Sequence, residues 1–404
     1  MSCTILKKKK IAEKIVKMHI KKKRFVLCLL LLVIFMGCEP ERDRSFFNGG
    51  QNMREGNQLC DIIGCTHVNG RYYLTEKDYL NEGADQILLI GSRVIKLWFY
   101  GKRHEHPENV YSFNSEWPKI ESLVQGAQLS YFKTLFDKPF TTYILVLTSL
   151  GRADDYWRDG ITEADMRDEQ RQFYELTRYL LSTYSGTGKT FIFQHWEGDW
   201  MVRGHTNVNI DPTESSLKNM IKWLNARQDG VTRARDDVPH NNVNVYNAAE
   251  VNRVVMSMNE GRPNMVNKVL PFTHLDLVSY SAWDAAVDQW KDPNVFRKAL
   301  SFIAKNMPDN KAFGDKNVYL GEFGWPENLY GRENLVTALS QAVNTALDFG
   351  CPYIVYWQLY CNELVDTNTP LPVKDNKDVR GFWLLRPDGS KSVAWDYFND
   401  LLKE

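Results

Sequence analysis

Short, nearly continuous apolar runs alternate with longer amphipathic stretches from about residue 59 to the end of the chain. Asp61–Thr66, Arg93–Phe99, Thr142–Ser149, Thr190–His195, Asn242–Tyr246, Leu275–Tyr280, Asn317–Gly321 and Tyr353–Leu359 have the length and β-rich content of strands. Runs such as Ile144-Leu-Val-Leu147 are apolar without alternation, which suits parallel strands covered on both faces. The intervening stretches carry helix signals. Thr162 with Asp165 makes a capping-box start, Leu176, Tyr179 and Leu180 form a stripe, and Gly186 closes the helix. Asp292-Pro293 opens a run through Ala299, Phe302 and Ile303. Leu335, Leu339, Ala342, Val343, Ala346 and Leu347 form another stripe that stops at Gly350. Eight β/α alternations without a linker predict an α/β protein with one (β/α)8 TIM barrel, a single domain over 59–404. An open doubly wound sheet is the alternative topology.

Charge is unevenly placed. The chain is formally neutral, but residues 1–37 hold 10 of its 50 Lys+Arg and 1 of its 50 Asp+Glu. The remainder has 40 basic against 49 acidic residues, a net of −9, which argues against nucleic acid as a partner. Lys21-Lys-Lys-Arg24 precedes the apolar run Phe25–Met36, too short for a permanent span and of signal-peptide size. Residues 1–37 are therefore expected to be a signal peptide, with a true start at Met18 as an option. Phe35-Met36-Gly37-Cys38 resembles a bacterial lipobox, which implies lipid on Cys38 and an envelope or cell-surface location. Residues 38–58 read as a tether. Of the cysteines left, Cys60, Cys65, Cys351 and Cys361 show no zinc-ligand spacing and are expected to be small buried residues.

Two strand-like runs end in glutamate beside tryptophan: Phe191-Ile-Phe-Gln-His-Trp-Glu197 and Val318-Tyr-Leu-Gly-Glu322-Phe-Gly-Trp325. Carboxylates avoid apolar surroundings unless they are paired or needed there. Two of them at separate strand ends supply what glycoside hydrolysis requires. The C-terminal strand ends of a barrel form its active face. Those ends carry His67, Trp98, His195, Trp196, Tyr246, Tyr280, Trp283, Trp325 and Trp357, with Trp157 and Trp200 just beyond. Seven of twelve tryptophans lie there, and indole faces suit the C–H faces of sugars.

With glutamates at the fourth and seventh strands, the chain resembles the clan A glycoside hydrolases, the cellulase and mannanase type called family 5. Gly321-Glu-Phe-Gly324 is similar to that clan's nucleophile strand. Leu384-Leu-Arg-Pro-Asp-Gly389 with Ala394-Trp-Asp-Tyr-Phe398 is similar to its closing hairpin and helix. The resemblance implies Glu197 as acid/base and Glu322 as nucleophile in a retaining hydrolase of poly- or oligosaccharides, without a cofactor. It further implies that Tyr280 contacts the nucleophile and that Trp357 underlies the sugar. A monomer is expected. Two positions depart from the family pattern: Trp196 replaces the asparagine before the acid/base, and Lys96 replaces the second-strand arginine, giving a point charge without a planar fork. Asp199 or Glu250 is a substitute for Glu197 as acid/base.

Other signals are discounted. Ser185-Gly-Thr-Gly-Lys-Thr190 lacks the first glycine of a phosphate loop and runs helix to strand, the reverse of that motif. His104-Glu-His106 lacks a third metal ligand nearby, and Asp154-Asp155 reads as a solvated loop. Two alternatives stand beside the hydrolase: a catalytically inactive glycan-binding barrel, and a metal-dependent hydrolase using His67, His104 and His106.

Overall fold

The computed structural model describes residues 58–101 and 106–403. The expected signal segment, Cys38, most of the tether and His104 lie outside the described residues. Among the described residues no helix is long and apolar enough to cross a membrane.

Eight strands form a closed barrel in chain order, every neighbouring pair parallel. They are β1 (Ile63–His67), β2 (Val94–Tyr100), β3 (Thr142–Leu147), β4 (Lys189–Gln194), β5 (Val243–Val251), β6 (Leu277–Ser281), β7 (Val318–Phe323) and β8 (Ile354–Tyr356). Each expected strand is present, and closure removes the open-sheet alternative. The main departure is β5, which runs to Val251 rather than stopping at Tyr246.

The helices end as their caps dictate. Thr162 and Asp165 form a reciprocal capping box at the start of the helix Glu163–Thr183. Asp292 accepts from the Asn294 amide above Pro293, and Gly350 ends Arg332–Phe349 at φ +88°. The helices Glu163–Thr183 and Glu214–Asp237 approach closely because Gly230 lacks a side chain. A Cβ there would lie 2.4 Å from the Gln170 carbonyl oxygen. Between them Arg227, fully buried, stacks on Phe173 and Trp223 at 4.2 and 4.4 Å and donates to the Leu147 carbonyl at the end of β3.

The barrel interior is layered. Val94, Ile144, Ile192, Ala248, Leu277, Tyr319 and Val355 fill its lower half, closed underneath by Phe313. Above this plug the inward positions turn polar: Lys96, Gln194, Glu250, Ser279 and Ser281, all fully buried. At the far end, Glu327 accepts from Arg386 at 2.8 Å and from the Val393 amide at 3.0 Å. This pair pins the loop after β7 to the hairpin closed by Leu385 and Lys391. Cys60, Cys65, Cys351 and Cys361 are free thiols, and Cys60 is only partly buried, unlike the other three.

Gly230→Ala should lower the unfolding temperature with a loss of about 1–3 kcal/mol, the usual range for overpacking. Thermal unfolding followed by circular dichroism checks this. An unchanged midpoint would mean the two helices separate freely.

Candidate active site

A register irregularity between β6 and β7 aims Glu322. Ser279 pairs with Tyr319 and Tyr280 with Leu320, but Ser281 pairs with Glu322, so one residue of β7 is extra. The irregularity falls at Gly321, where a Cβ would sit 1.8 Å from the Ser279 hydroxyl oxygen. Only glycine fits, and the next residue is turned into the barrel mouth. There Glu322 Oε1 accepts from Lys96 Nζ at 2.8 Å, and Oε2 accepts from the Trp283 indole N–H at 3.3 Å.

Lys96 is fully buried and uses all three ammonium protons. It donates to Glu322 Oε1, to Glu250 Oε1 at 3.0 Å and to the Gly321 carbonyl at 3.2 Å. Burial pulls its pKa down, but the charges of Glu250 and Glu322 outweigh this and the net direction is up. Glu250 is saturated with donors. Its Oε1 also accepts from Gln194 at 3.0 Å, Ser281 at 2.9 Å and Ser279 at 3.2 Å, and its Oε2 from the Glu197 amide at 2.8 Å. Burial raises its pKa, yet Lys96 and these bonds carry it below the ordinary glutamate value. These contacts favour the ionised form of Glu250.

Glu197 is placed differently. It sits just past β4 at 9% exposure, and among the described residues no group donates a hydrogen bond to its carboxyl. Burial first, then the negative charges of Glu322 and Glu250, raise its pKa well above the usual range. Glu322 is raised too, by burial and by Glu250, but Lys96 and Trp283 oppose this. Both carboxyls are thus held above the ordinary value, but Lys96 and Trp283 oppose the rise at Glu322, whereas Glu197 has no donor to do so and favours its protonated form more strongly. Asp199, the other substitute considered, is fully buried and clamps the Asn252, Arg253 and Met265 amides at 3.0–3.2 Å. It has no free face for chemistry.

Indoles surround the pair. Trp357 lies 6.0 Å from Trp98 and 6.5 Å from Trp283, both edge-on, and Phe382 of the closing hairpin packs on Trp283 at 5.9 Å. A cleft of about 180 Å³ lies over the ends of β2, β3 and β4, lined by Trp98, Trp196, Trp200, Asp155, Arg158 and His205 among others. Asp155 pairs with Arg158 at 2.6 Å. Asp154 is buried, accepting from the Thr148 hydroxyl at 2.6 Å, rather than solvated.

Five expected site residues lie elsewhere. His67 points out of the barrel into Tyr79, Tyr111 and Tyr360, bonded to the Tyr79 carbonyl at 2.8 Å, and burial lowers its pKa to about 4. Among the described residues no three His, Cys, Asp or Glu side chains are grouped to hold a metal ion. His195 likewise points outward, towards Trp223, and accepts the Glu250 amide at 3.2 Å; its pKa also falls to about 4, by burial and then the Arg227 charge. Tyr280 faces away from Glu322, donating to Asp284 at 2.6 Å and packing on Phe296. Trp283 makes the contact with Glu322 instead. Tyr246 packs on Phe313 at the bottom of the barrel, because β5 continues five residues beyond it. Trp325 is fully buried against Phe323. Glu197, Glu322, Lys96, Trp98, Trp196, Trp283 and Trp357 lie at the mouth.

No family model and no curated protein sequence matches the chain. Solved structures do. A GH5_18 protein from Streptomyces cattleya, in complex with Manb1-4GlcNAc, aligns at TM-score 0.51 and 12% identity over 85% of this chain and 80% of its own. A glycoside hydrolase 5 lichenase from Caldicellulosiruptor sp. F32, with cellotetraose, aligns at 0.50 and 12% over 88% and 97%. An exo-beta-1,4-mannosidase from Opitutaceae bacterium strain TAV5 aligns at 0.51 and 12%, and this chain spans 59% of its length. The chain shares the (β/α)8 barrel fold of these glycosidases.

The carboxyl environments give opposite stability effects. Glu197, with a raised folded pKa, is stabilising below its unfolded value and loses that contribution as pH rises through its folded value. Glu197→Gln should therefore raise the unfolding temperature at neutral pH. Glu250, with a lowered pKa, contributes above its unfolded value and loses this as pH falls. Glu250→Ala should cost about 3–5 kcal/mol, the usual consequence of breaking a buried pair. Paired thermal melts at pH 7 decide it; a destabilised Glu197→Gln would contradict this charge assignment.

Proposed function

We propose that the protein is a retaining glycoside hydrolase. The observation that carries this is the asymmetry of the facing glutamates, one anchored on a buried ammonium and the other without a donor. Glu322 Oε2, held only by the longer bond to Trp283, attacks the anomeric carbon. As the C–O bond to the leaving group breaks, Glu197 gives its proton to the departing oxygen. A glycosyl ester on Glu322 results. Water then attacks the anomeric carbon, Glu197 takes its proton, and the ester bond breaks to regenerate Glu322. Trp98, Trp283 and Trp357 enclose the sugar, and the cleft beside Trp196 and Trp200 receives the part of the substrate next to Glu197. The ligands of the similar structures point to β-linked hexopyranosides, so mannosyl, glucosyl and N-acetylglucosaminyl oligosaccharides head the substrate panel.

The panel is assayed with wild type and Glu322→Ala. Turnover should fall by at least about 10³-fold in a folded Glu322→Ala, since no other side chain can form the ester at that position. Proton NMR should show the first-formed anomer with retained configuration. The pH profile should be bell-shaped: activity is lost at low pH as Glu322 takes a proton and at high pH as Glu197 gives one up. Wild-type turnover in the Glu322 variant, or an inverted product, would overturn the assignment. Binding without cleavage would leave a glycan-binding protein on the same barrel.

We also propose that the chain is exported and anchored through lipid on Cys38, on the order of basic run, apolar core and Gly37-Cys38. Cys38→Ala should abolish membrane partition or block processing; unchanged partition and processing would remove the anchor.

A further inference from the structure

The working reaction needs two carboxyls, and the barrel mouth holds a third. Glu250 lies on β5, reaches the same ammonium as Glu322 and accepts from the backbone amide of Glu197. It touches both candidate catalytic residues without itself facing the cleft, at 0% exposure. We propose that Glu250 is a positioning residue that holds Lys96 against Glu322 and the Glu197 main chain at the mouth, so that both working carboxyls answer to one buried anion. The inference rests on the two-glutamate reading above.

Three features support it. The donor set on Glu250 comes from three different strands: Lys96 on β2, Gln194 on β4 with Glu197 just past it, and Ser279 and Ser281 on β6, while the shared ammonium links it to β7. A carboxylate serving only to knit the barrel has no need to share its cation with a mouth carboxylate. Gln194 is itself oriented by the Tyr319 hydroxyl, which donates to Gln194 Oε1 and leaves Nε2 for Glu250. His195 completes the surround from the outer side, its Nδ1 on the Trp196 carbonyl and its Nε2 accepting the Glu250 amide. The charged and titratable groups facing Glu250 are therefore Lys96, Glu197, His195, Tyr319 and Glu322.

The direction of coupling follows from charge. Removing the Glu250 anion takes a negative neighbour from Glu197 and Glu322 and leaves Lys96 wholly to Glu322. Both carboxyls then ionise at lower pH. Removing the Lys96 cation does the opposite. A purely structural role would perturb packing and activity without moving both midpoints down on loss of Glu250 and both up on loss of Lys96.

The test is carboxyl ¹³C NMR of the purified protein labelled with [5-¹³C]glutamate and titrated with pH. Glu197→Gln, Glu322→Gln and Glu250→Gln assign the three resonances. In wild type Glu250 should have the lowest midpoint and Glu197 the highest. Glu250→Gln should lower the Glu197 midpoint, and Lys96→Met should raise it, each by about one pH unit or more. A Glu197 midpoint that does not move in folded Glu250→Gln overturns the proposal. Should that variant not fold, the wild-type order carries the test, and a Glu250 midpoint at or above those of Glu197 and Glu322 overturns the proposal. The readout needs no turnover. A protein that cleaves nothing would sink the hydrolase reading while leaving the coupling measurable, and a glycosidase whose Glu197 ignores Glu250 would sink this inference alone.

Discussion

One ammonium group organises the centre of this barrel. Lys96 has no solvent contact, and a lone buried cation would lose its proton rather than remain charged. It stays charged because Glu250 and Glu322 lie at 3.0 and 2.8 Å and the Gly321 carbonyl takes its third proton. The dependence is mutual. Without Lys96, two carboxylates would share a dry cavity with Glu197 nearby, and repulsion would force a second proton into the cluster. Reactivity and stability at the mouth thus draw on the same contact.

The layering of the barrel gives that contact its strength. The apolar plug from Val94 to Val355, sealed by Phe313, keeps water from the lower side. The indoles of Trp98, Trp283 and Trp357 narrow access from above. Charges held between these layers interact in a poorly polarisable space, where a donor present or absent separates carboxyls that would titrate together in water. The bulge at Gly321 is needed for the same reason. Strict alternation would leave Glu322 facing the helices, away from its cation.

The eight strands were legible because both of their faces are covered, so each appears as an apolar run. Lys96 stood out as a single charge inside Val94-Ile-Lys-Leu-Trp98, and Glu197 and Glu322 as carboxylates beside tryptophan. What sequence proximity did not reveal was the direction each strand-end residue faces. His67, His195 and Tyr280 each adjoin an inward residue, Thr66, Gln194 or Ser281, and alternation sends them to the helix side. The serines flanking Tyr280 carried this signal, since small polar residues on both sides mark the crowded interior. Tyr246 failed for another reason. Asn247 interrupts the apolar run and suggests a strand that stops at Tyr246, whereas β5 continues and carries Glu250 to the mouth. Strand length along the barrel axis is set by neighbour pairing, here Glu250 with Ser279 and Val251 with Tyr280, which a single run of residues does not display.

The lysine that departs from the family pattern also becomes intelligible beside Glu250. An arginine presents a planar fork suited to gripping one carboxylate with two parallel bonds. The acceptors here are Glu250 Oε1 on β5 and Glu322 Oε1 and the Gly321 carbonyl on β7, two side chains and a main chain. An ammonium with three rotatable donors can serve three separate acceptors, and its smaller head leaves room for the second carboxylate. Lysine on β2 and glutamate on β5 are therefore a matched pair. Each would be poorly placed without the other: Glu250 would be an uncompensated buried anion, and Lys96 would bring to Glu322 a cation with one partner too few.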